Sequence, residues 1–369
     1  MSRRLRLAAV ATTVAAALLV SACGGGDDTA GDGAGSGTSA SMSVAEVANL
    51  TGPDRTQKLI DQAKAEGEIM IYTSMDTEEV EEFVQAFKSA YPDLKDLKVQ
   101  SYRAGEDELT QRIDSEYKAK RYAADVVTYG SPEIEGLGDA VYQPYKTPEA
   151  DKLDATAKSG LKVSYPTKAQ AFLMAYNKEK VPEGQVPTSY DQLLAGDTWK
   201  GKFAVEASDD RWLGALLQVW GEEKTKSTFG RMKELGVKAQ KGHTQLTQLI
   251  AAGQYPIGLT NYIGTINEIN EEHDSVGYKV FDPLVVKYNG VALPKNSAHP
   301  AASMLFIDFM LGDVGQKLIS SKGDVPVRDG VEGLTLSQLA GGATIAPIDA
   351  ATLAQSKTVE PLWNEYVLR

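Results

Sequence analysis

The sequence predicts an α/β protein built as two lobes, and three observations carry that prediction. Strands alternate with amphipathic helices over residues 68–128, and a second alternating set runs over 203–260. Two extended passages, 162–177 and 280–293, flank the second set as a pair of chain crossings would. The expected division is a first lobe of residues 54–165 and 285–369 and a second of 166–284.

The elements follow in order. An introductory helix is expected near 54–64, then a buried strand at 68–72 whose exit loop is Thr73-Ser74-Met75-Asp76. Val80, Phe83, Val84 and Phe87 fall at i, i+3, i+4 and i+7, which makes 77–91 a helix, and Pro92 stops it. Residues 97–102 form a second strand. Ala104-Gly105 turns the chain into a helix with Leu109, Ile113 and Tyr117 on one face, and 124–128 is a third strand. Loops leaving the carboxyl ends of parallel strands line a crevice, so Ser74, Arg103 and the Gly130-Ser131 turn should converge.

In the second lobe a strand at 203–206 leads to a helix from Arg211, another helix starts at His243, and a strand at 257–260 follows. Residues 300–311 are nearly all apolar, a helix for the core. Ser208-Asp209-Asp210-Arg211-Trp212 and Thr260-Asn261-Tyr262 leave strands of this lobe and would face the first lobe. Asp210, Arg211, Trp212, Asn261 and Tyr262 are therefore candidate contacts beside Ser74, Asp76, Arg103, Gly130 and Ser131. Each has a plainer reading: Asp76 as a helix cap, Arg211 paired with Asp209 or Asp210, Trp212 in the core, Tyr129-Gly130-Ser131-Pro132 as a turn.

The N-terminus carries Arg3, Arg4 and Arg6, an apolar run over 7–20, then Ser21 and Ala22 before Cys23, which is the order of an export signal. Val20-Ser21-Ala22-Cys23 resembles the bacterial lipobox, whose cysteine is acylated, and Cys23 is the single cysteine of 369 residues. Rich in Gly, Asp, Ser and Thr, the stretch after it reads as a tether, placed at 23–53. The formal charge of −12, deepened by loss of the three arginines, argues against a nucleic-acid partner. No HExxH, GxSxG or CxxC pattern is present, and His243, His273 and His299 show no ligand spacing, so an enzyme is not expected.

Several stretches together resemble a known family over about residues 55–330. They are Ile71-Tyr72-Thr73-Ser74, Arg112-Ile113-Asp114-Ser115-Glu116 leading to Ala124-Asp125-Val126-Val127, Trp199-Lys200-Gly201-Lys202, Ala298-His299-Pro300-Ala301 running to Phe306-Ile307-Asp308-Phe309, and Val325-Pro326-Val327-Arg328. In this order they resemble the ferric-iron-type branch of the periplasmic solute-binding proteins. The resemblance implies the type 2 periplasmic-binding-protein fold, in which two α/β lobes joined by two crossing hinge strands close on one ligand. It also implies a monomer that delivers its solute to the permease subunits of an ABC importer. With the lipobox, it implies a protein held by lipid on the extracytoplasmic face of the cell membrane.

The same resemblance implies ferric iron as transported ligand, alone or with an anion, and no resident cofactor. Carried over by position, its ligands are Asp76, Glu116 and Tyr262, with Ile263 where the second of two adjacent tyrosines would stand. An organic or phosphorus-containing anion is the alternative, because Arg103 precedes a helix start and Arg211 opens another.

Overall fold

The structure is a computed structural model that describes residues 41–155 and 157–369. The expected signal segment, Cys23 and the first part of the expected tether lie outside the described residues. Residues 44–53, expected within the tether, are partly folded. Helix α1 (Val44–Asn49) opens with reciprocal hydrogen bonding between Ser43 and Glu46, and Val47 and Ala48 are fully buried.

The first lobe then alternates as α2 (Arg55–Glu66), β1 (Glu68–Thr73), α3 (Thr77–Ala90), β2 (Lys98–Arg103), α4 (Glu106–Lys118), β3 (Val126–Gly130), α5 (Ser131–Val141) and the short β4 (Tyr142–Gln143). β1 lies parallel between β2 and β3. β5 (Ser164–Ala171) joins this sheet, and Phe172 alone separates it from β6 (Leu173–Asn177) in the second sheet. The lobe boundary expected after residue 165 thus falls inside β5, because Ser164–Ala171 pairs antiparallel with a strand of the first sheet.

The second lobe contains α6 (Tyr190–Leu194), β7 (Phe203–Glu206), α7 (Asp210–Glu234), β8 (Lys238–Gln240), α8 (His243–Ala251), β9 (Ile257–Asn261), α9 (Ile263–Glu272) and β10 (Val276–Lys279). Its sheet has the order β10-β6-β9-β7-β8. The return crossing leads into β11 (Leu284–Pro294), then α10 (Pro300–Leu311), α11 (Asp313–Ser321), β12 (Val325–Pro326), α12 (Leu336–Ala340), β13 (Ile345–Pro347), α13 (Ala350–Ala354) and α14 (Ser356–Tyr366). The first sheet runs β12-β5-β11-β3-β1-β2, with β4 and β13 also paired to β11.

All twelve residues of α10 are buried, and Phe306 and Phe309 meet Phe87 edge to face. The one charge in that helix, Asp308, is in ion-pair contact with Arg55 and accepts a 2.8 Å hydrogen bond from Thr147 Oγ1, as a buried carboxylate requires. The C-terminal helix departs from expectation. The expected first lobe takes in residues 285–369, but α14 packs on α7, where Val359 and Trp363 share a core with Trp212 and Phe229. Trp363 Nε1 also donates to Ala207 O at 2.8 Å.

Candidate functional site

The carboxyl ends of β1, β2 and β3 open onto the starts of α3, α4 and α5, and across from them lie the starts of α7, α8 and α9. Arg211, the second residue of α7, reaches over to three carboxylates of the first lobe. It is in ion-pair contact with Glu133, its Nη2 donates to Asp107 Oδ1 at 2.7 Å, and its Nη1 lies 3.7 Å from Glu106 Oε2. Lys287 of β11 donates to Glu106 Oε1 at 3.0 Å. Gly130 makes this possible: a Cβ there would stand 2.0 Å from Glu133 Oε2 and 3.1 Å from the Glu106 carboxyl carbon.

The two cations do not serve the carboxylates equally. Glu133 is 4% exposed, and among the described residues Arg211 is its one cation in ion-pair contact, where Glu106 has Lys287 as well as Arg211. Burial, and then the charge of Glu106, push its carboxyl up to about 7, against the pull of Arg211 and Lys287. Burial raises Glu106 too, but the charge and hydrogen bond of Lys287, with Arg211, hold it below the ordinary range. Ser131 Oγ, buried at the start of α5, also lacks a partner.

On the second-lobe wall, Tyr262, His243 and Phe172 form an aromatic cluster, with the Tyr262 centroid 4.2 and 5.2 Å from those of His243 and Phe172, and Lys287 Nζ lies 5.8 Å from the Tyr262 centroid. His243 Nδ1 donates to the Thr260 carbonyl at 2.9 Å, which leaves Nε2 facing Asp209 Oδ1 at 3.5 Å. Burial, then the charge of Lys287, lowers His243 to about 4, so the ring is neutral near pH 7. Burial, then Glu206, raises Asp209 well above the carboxylate range, and its Oδ2 has no hydrogen-bond partner. Thr260 has φ +62, strained for a β-branched residue, and its Oγ1 accepts from Glu206 N at 3.1 Å.

The fold and this crevice can be set against known proteins. Residues 82–338 match the family described as bacterial extracellular solute-binding proteins. The chain belongs to that family. Among solved structures, iron-bound HitA from Pseudomonas aeruginosa aligns with a TM-score of 0.67 at 20% identity, covering 79% of this chain and 99% of HitA. A Trichodesmium IdiA (FutA) with iron and citrate gives 0.66 at 20% identity, over 81% and 99%. AfuA from Actinobacillus pleuropneumoniae with fructose-6-phosphate gives 0.68 at 20% identity, over 81% and 97%. These likenesses show the shared two-lobed fold. As an extracellular solute-binding protein, this chain holds a ligand and does not transform it.

Within this solute-binding protein, the expected contacts separate into groups. Gly130, Ser131, Arg211 and Tyr262 lie around the crevice. Asp210 follows Asp209 at the start of α7, its carboxyl raised by burial. Ser74 N is bonded to Thr128 O at 3.1 Å, beside an exposed pair in which Arg103 Nη2 donates to Asp76 Oδ1 at 2.8 Å. Asp76 makes no side-chain cap to α3. Trp212 is core, 2% exposed, and Asn261 is fully buried, where its amide group bonds to Thr247 and Leu259.

The carried-over metal ligands meet different partners. Glu116 accepts from Tyr72 and Arg112, both at 2.8 Å, while Asp76 is held by Arg103 and Tyr262 sits on His243. Among the described residues, Glu206, Asp209 and His243 offer donor atoms within 4.8 Å of one another. Glu206 is already used by Gly242 N at 2.8 Å, Ser208 N at 2.6 Å and Ser208 Oγ at 2.7 Å, and Lys287 is close enough to His243 to lower its basicity. That set braces the loop rather than framing an open cation site.

Glu106, Glu133, Lys287, Asp209 and His243 were not among the expected contacts. Lys287 was discoverable, since it is the one charge in the largely apolar strand Leu284–Pro294. Glu133 carried no such signal.

Proposed function

We propose that this solute-binding protein captures a small organic or phosphorylated anion between its lobes and presents it to the permease subunits of an ABC importer. One observation supports this ligand class above the others. Arg211 from the second lobe and Lys287 from the first sheet bring two cationic groups into one crevice, where their partners are the protein's own carboxylates. An entering anion would replace carboxylate oxygens with its own, and ligand held by both lobes would favour the closed form.

Ferric iron has less support from the residues. Burial keeps the Tyr262 phenol well above its ordinary value, which opposes a tyrosinate, and Ile263 offers no donor. Asp76 and Glu116 are engaged elsewhere. The reading includes anchorage through acylated Cys23 on the outer face of the cell membrane and action as a monomer. No helix of the described residues is long and apolar enough to cross a membrane.

The test is a thermal-shift and calorimetric panel of phosphate esters, inorganic phosphate, dicarboxylates and ferric citrate on the purified protein, preceded by native mass spectrometry. Stabilisation by one anion class with mass-action dependence is expected. A visible charge-transfer band on adding ferric citrate, lost in Tyr262→Phe, would instead establish the iron reading.

A further inference from the structure

Three first-lobe carboxylates share Arg211 and Lys287, and they differ in what each can do when an anion arrives. Asp107 has 76% of its side-chain surface exposed, so an anion that takes its place on Arg211 Nη2 returns it to water, and the surface pair lost is worth little. Glu106 keeps a partner: the Lys287 ammonium that donates to it at 3.0 Å has three donors and can serve a ligand oxygen as well. Glu133 has neither outlet. Its side chain is 3% exposed, it is held in the first turn of α5 between the buried Pro132 and Ile134, and Arg211 is the cation it touches.

An anion seated on Arg211 therefore lies against Glu133, with Glu106 beside it. Gly130 allows that crowding, since the point a Cβ would occupy there is 2.0 Å from Glu133 Oε2 and 3.1 Å from the Glu106 carboxyl carbon. Like charges closed off from water do not all stay ionised, and one shared proton converts their repulsion into a charge-assisted hydrogen bond. The titratable groups around Glu133 are Glu106 of α4, Tyr129 of β3, Arg211 of α7 and Lys287 of β11, with Asp107 reaching it through Arg211. Helix α13, also packed on α5, has no titratable residue in Ala350–Ala354. Without ligand, burial and the charge of Glu106 already bring the Glu133 carboxyl to about 7, so a further negative charge tips it toward the acid.

We propose that Glu133 binds the captured anion as an acid: on capture one proton is taken up from solvent and held between the Glu133 carboxyl and an oxygen of the anion on Arg211. Ligand, protein and one proton enter the complex together, and the proton returns to solvent when the ligand leaves. The assignment rests on the anion reading, and the experiment separates their failures.

Titration calorimetry of methyl phosphate into the purified protein, repeated in buffers of different ionisation enthalpy, counts the protons taken up. At pH 8 the probe is a dianion, because the second ionisation of a phosphate monoester lies near about 6. Close to one proton per bound probe is expected there, and affinity should fall roughly tenfold for each unit from pH 7 to pH 9. Glu133→Gln, with folding checked by its melting curve, places an amide donor where the protonated acid would donate. Its proton uptake at pH 8 should vanish and its pH dependence flatten, so that it binds methyl phosphate more tightly than the unmodified protein at pH 9. The count on the unmodified protein needs no variant to fold: binding with no proton taken up overturns the assignment while the anion reading stands. Uptake that persists in Glu133→Gln overturns it equally, because the proton then sits elsewhere. If methyl phosphate binds neither protein from pH 6 to pH 9, the anion reading falls and takes the assignment with it.

Discussion

Arg211 and Glu133 meet across the crevice, a guanidinium from the second lobe against a carboxylate of the first that is 4% exposed. A buried ion pair of this kind gains little over an apolar contact, because desolvation offsets most of the attraction. Its effect is specificity of closure. Arg211 has carboxylate partners on α4 and α5 only when the lobes are together, so the same side chain couples lobe closure to whatever anion replaces them.

Arg211→Met keeps the length of the side chain and removes its charge. Without ligand, the variant should populate a more open form, read as a larger radius of gyration by solution scattering. Anion affinity should fall roughly 10- to 100-fold, the equivalent of about 1.5–3 kcal/mol for hydrogen bonds to a charged group. Unchanged affinity would remove Arg211 from the site.

Trp212 follows Arg211 in sequence but belongs to the core, against Tyr190, Phe229 and Trp363. Trp212→Ala should destabilise the protein by about 3–5 kcal/mol in urea unfolding. Anion affinity of the folded variant should move less than in Arg211→Met. The reverse ranking would place the indole in the crevice.

How far the molecule was legible follows from these neighbours. Period-2 and period-3.6 patterns located α3, β7 and α10 to within a residue, because each buries one defined face or all faces. The same patterns say nothing about which lobe a helix joins. Val359 and Trp363 mark α14 as amphipathic, yet only the packed structure shows that their partner is α7. Strand-exit loops pointed to Arg211 and Tyr262, since topology brings such loops together. Asn261 alternates away from the crevice into the second lobe, which a loop assignment cannot distinguish. Glu133 and His243 were hidden because a helix-start carboxylate and a helix-start histidine look like solvated surface until the opposite lobe covers them.

Cys23→Ala should shift the protein from the membrane fraction to the soluble extracytoplasmic fraction on cell fractionation, if acylation there is the anchor. Retention in the membrane would assign attachment to another segment.

Glu133 and His243 should give opposite pH dependences within one narrow window. The Glu133 carboxyl, ordinarily 4.5, is raised to about 7. Between those values the unfolded chain has released the proton while the folded chain keeps it, so its contribution to stability is full below 4.5 and is lost as pH rises through 7. His243 is lowered from 6.5 to about 4. There the unfolded imidazole takes up a proton that the folded site resists, so its contribution is full above 6.5 and is lost as pH falls toward 4. The two slopes oppose each other between 4.5 and 6.5, and the intact protein should show a flattened response where either group alone would tilt it. Melting temperatures across pH 4 to 7 for the protein, Glu133→Gln and His243→Gln resolve the pair. The difference between Glu133→Gln and the unmodified protein should grow more favourable as pH rises, and that for His243→Gln as pH falls. Parallel curves for all three would mean that both groups titrate in the folded protein as they do in the unfolded chain, and the crevice would then be wetter and more open than its contacts imply.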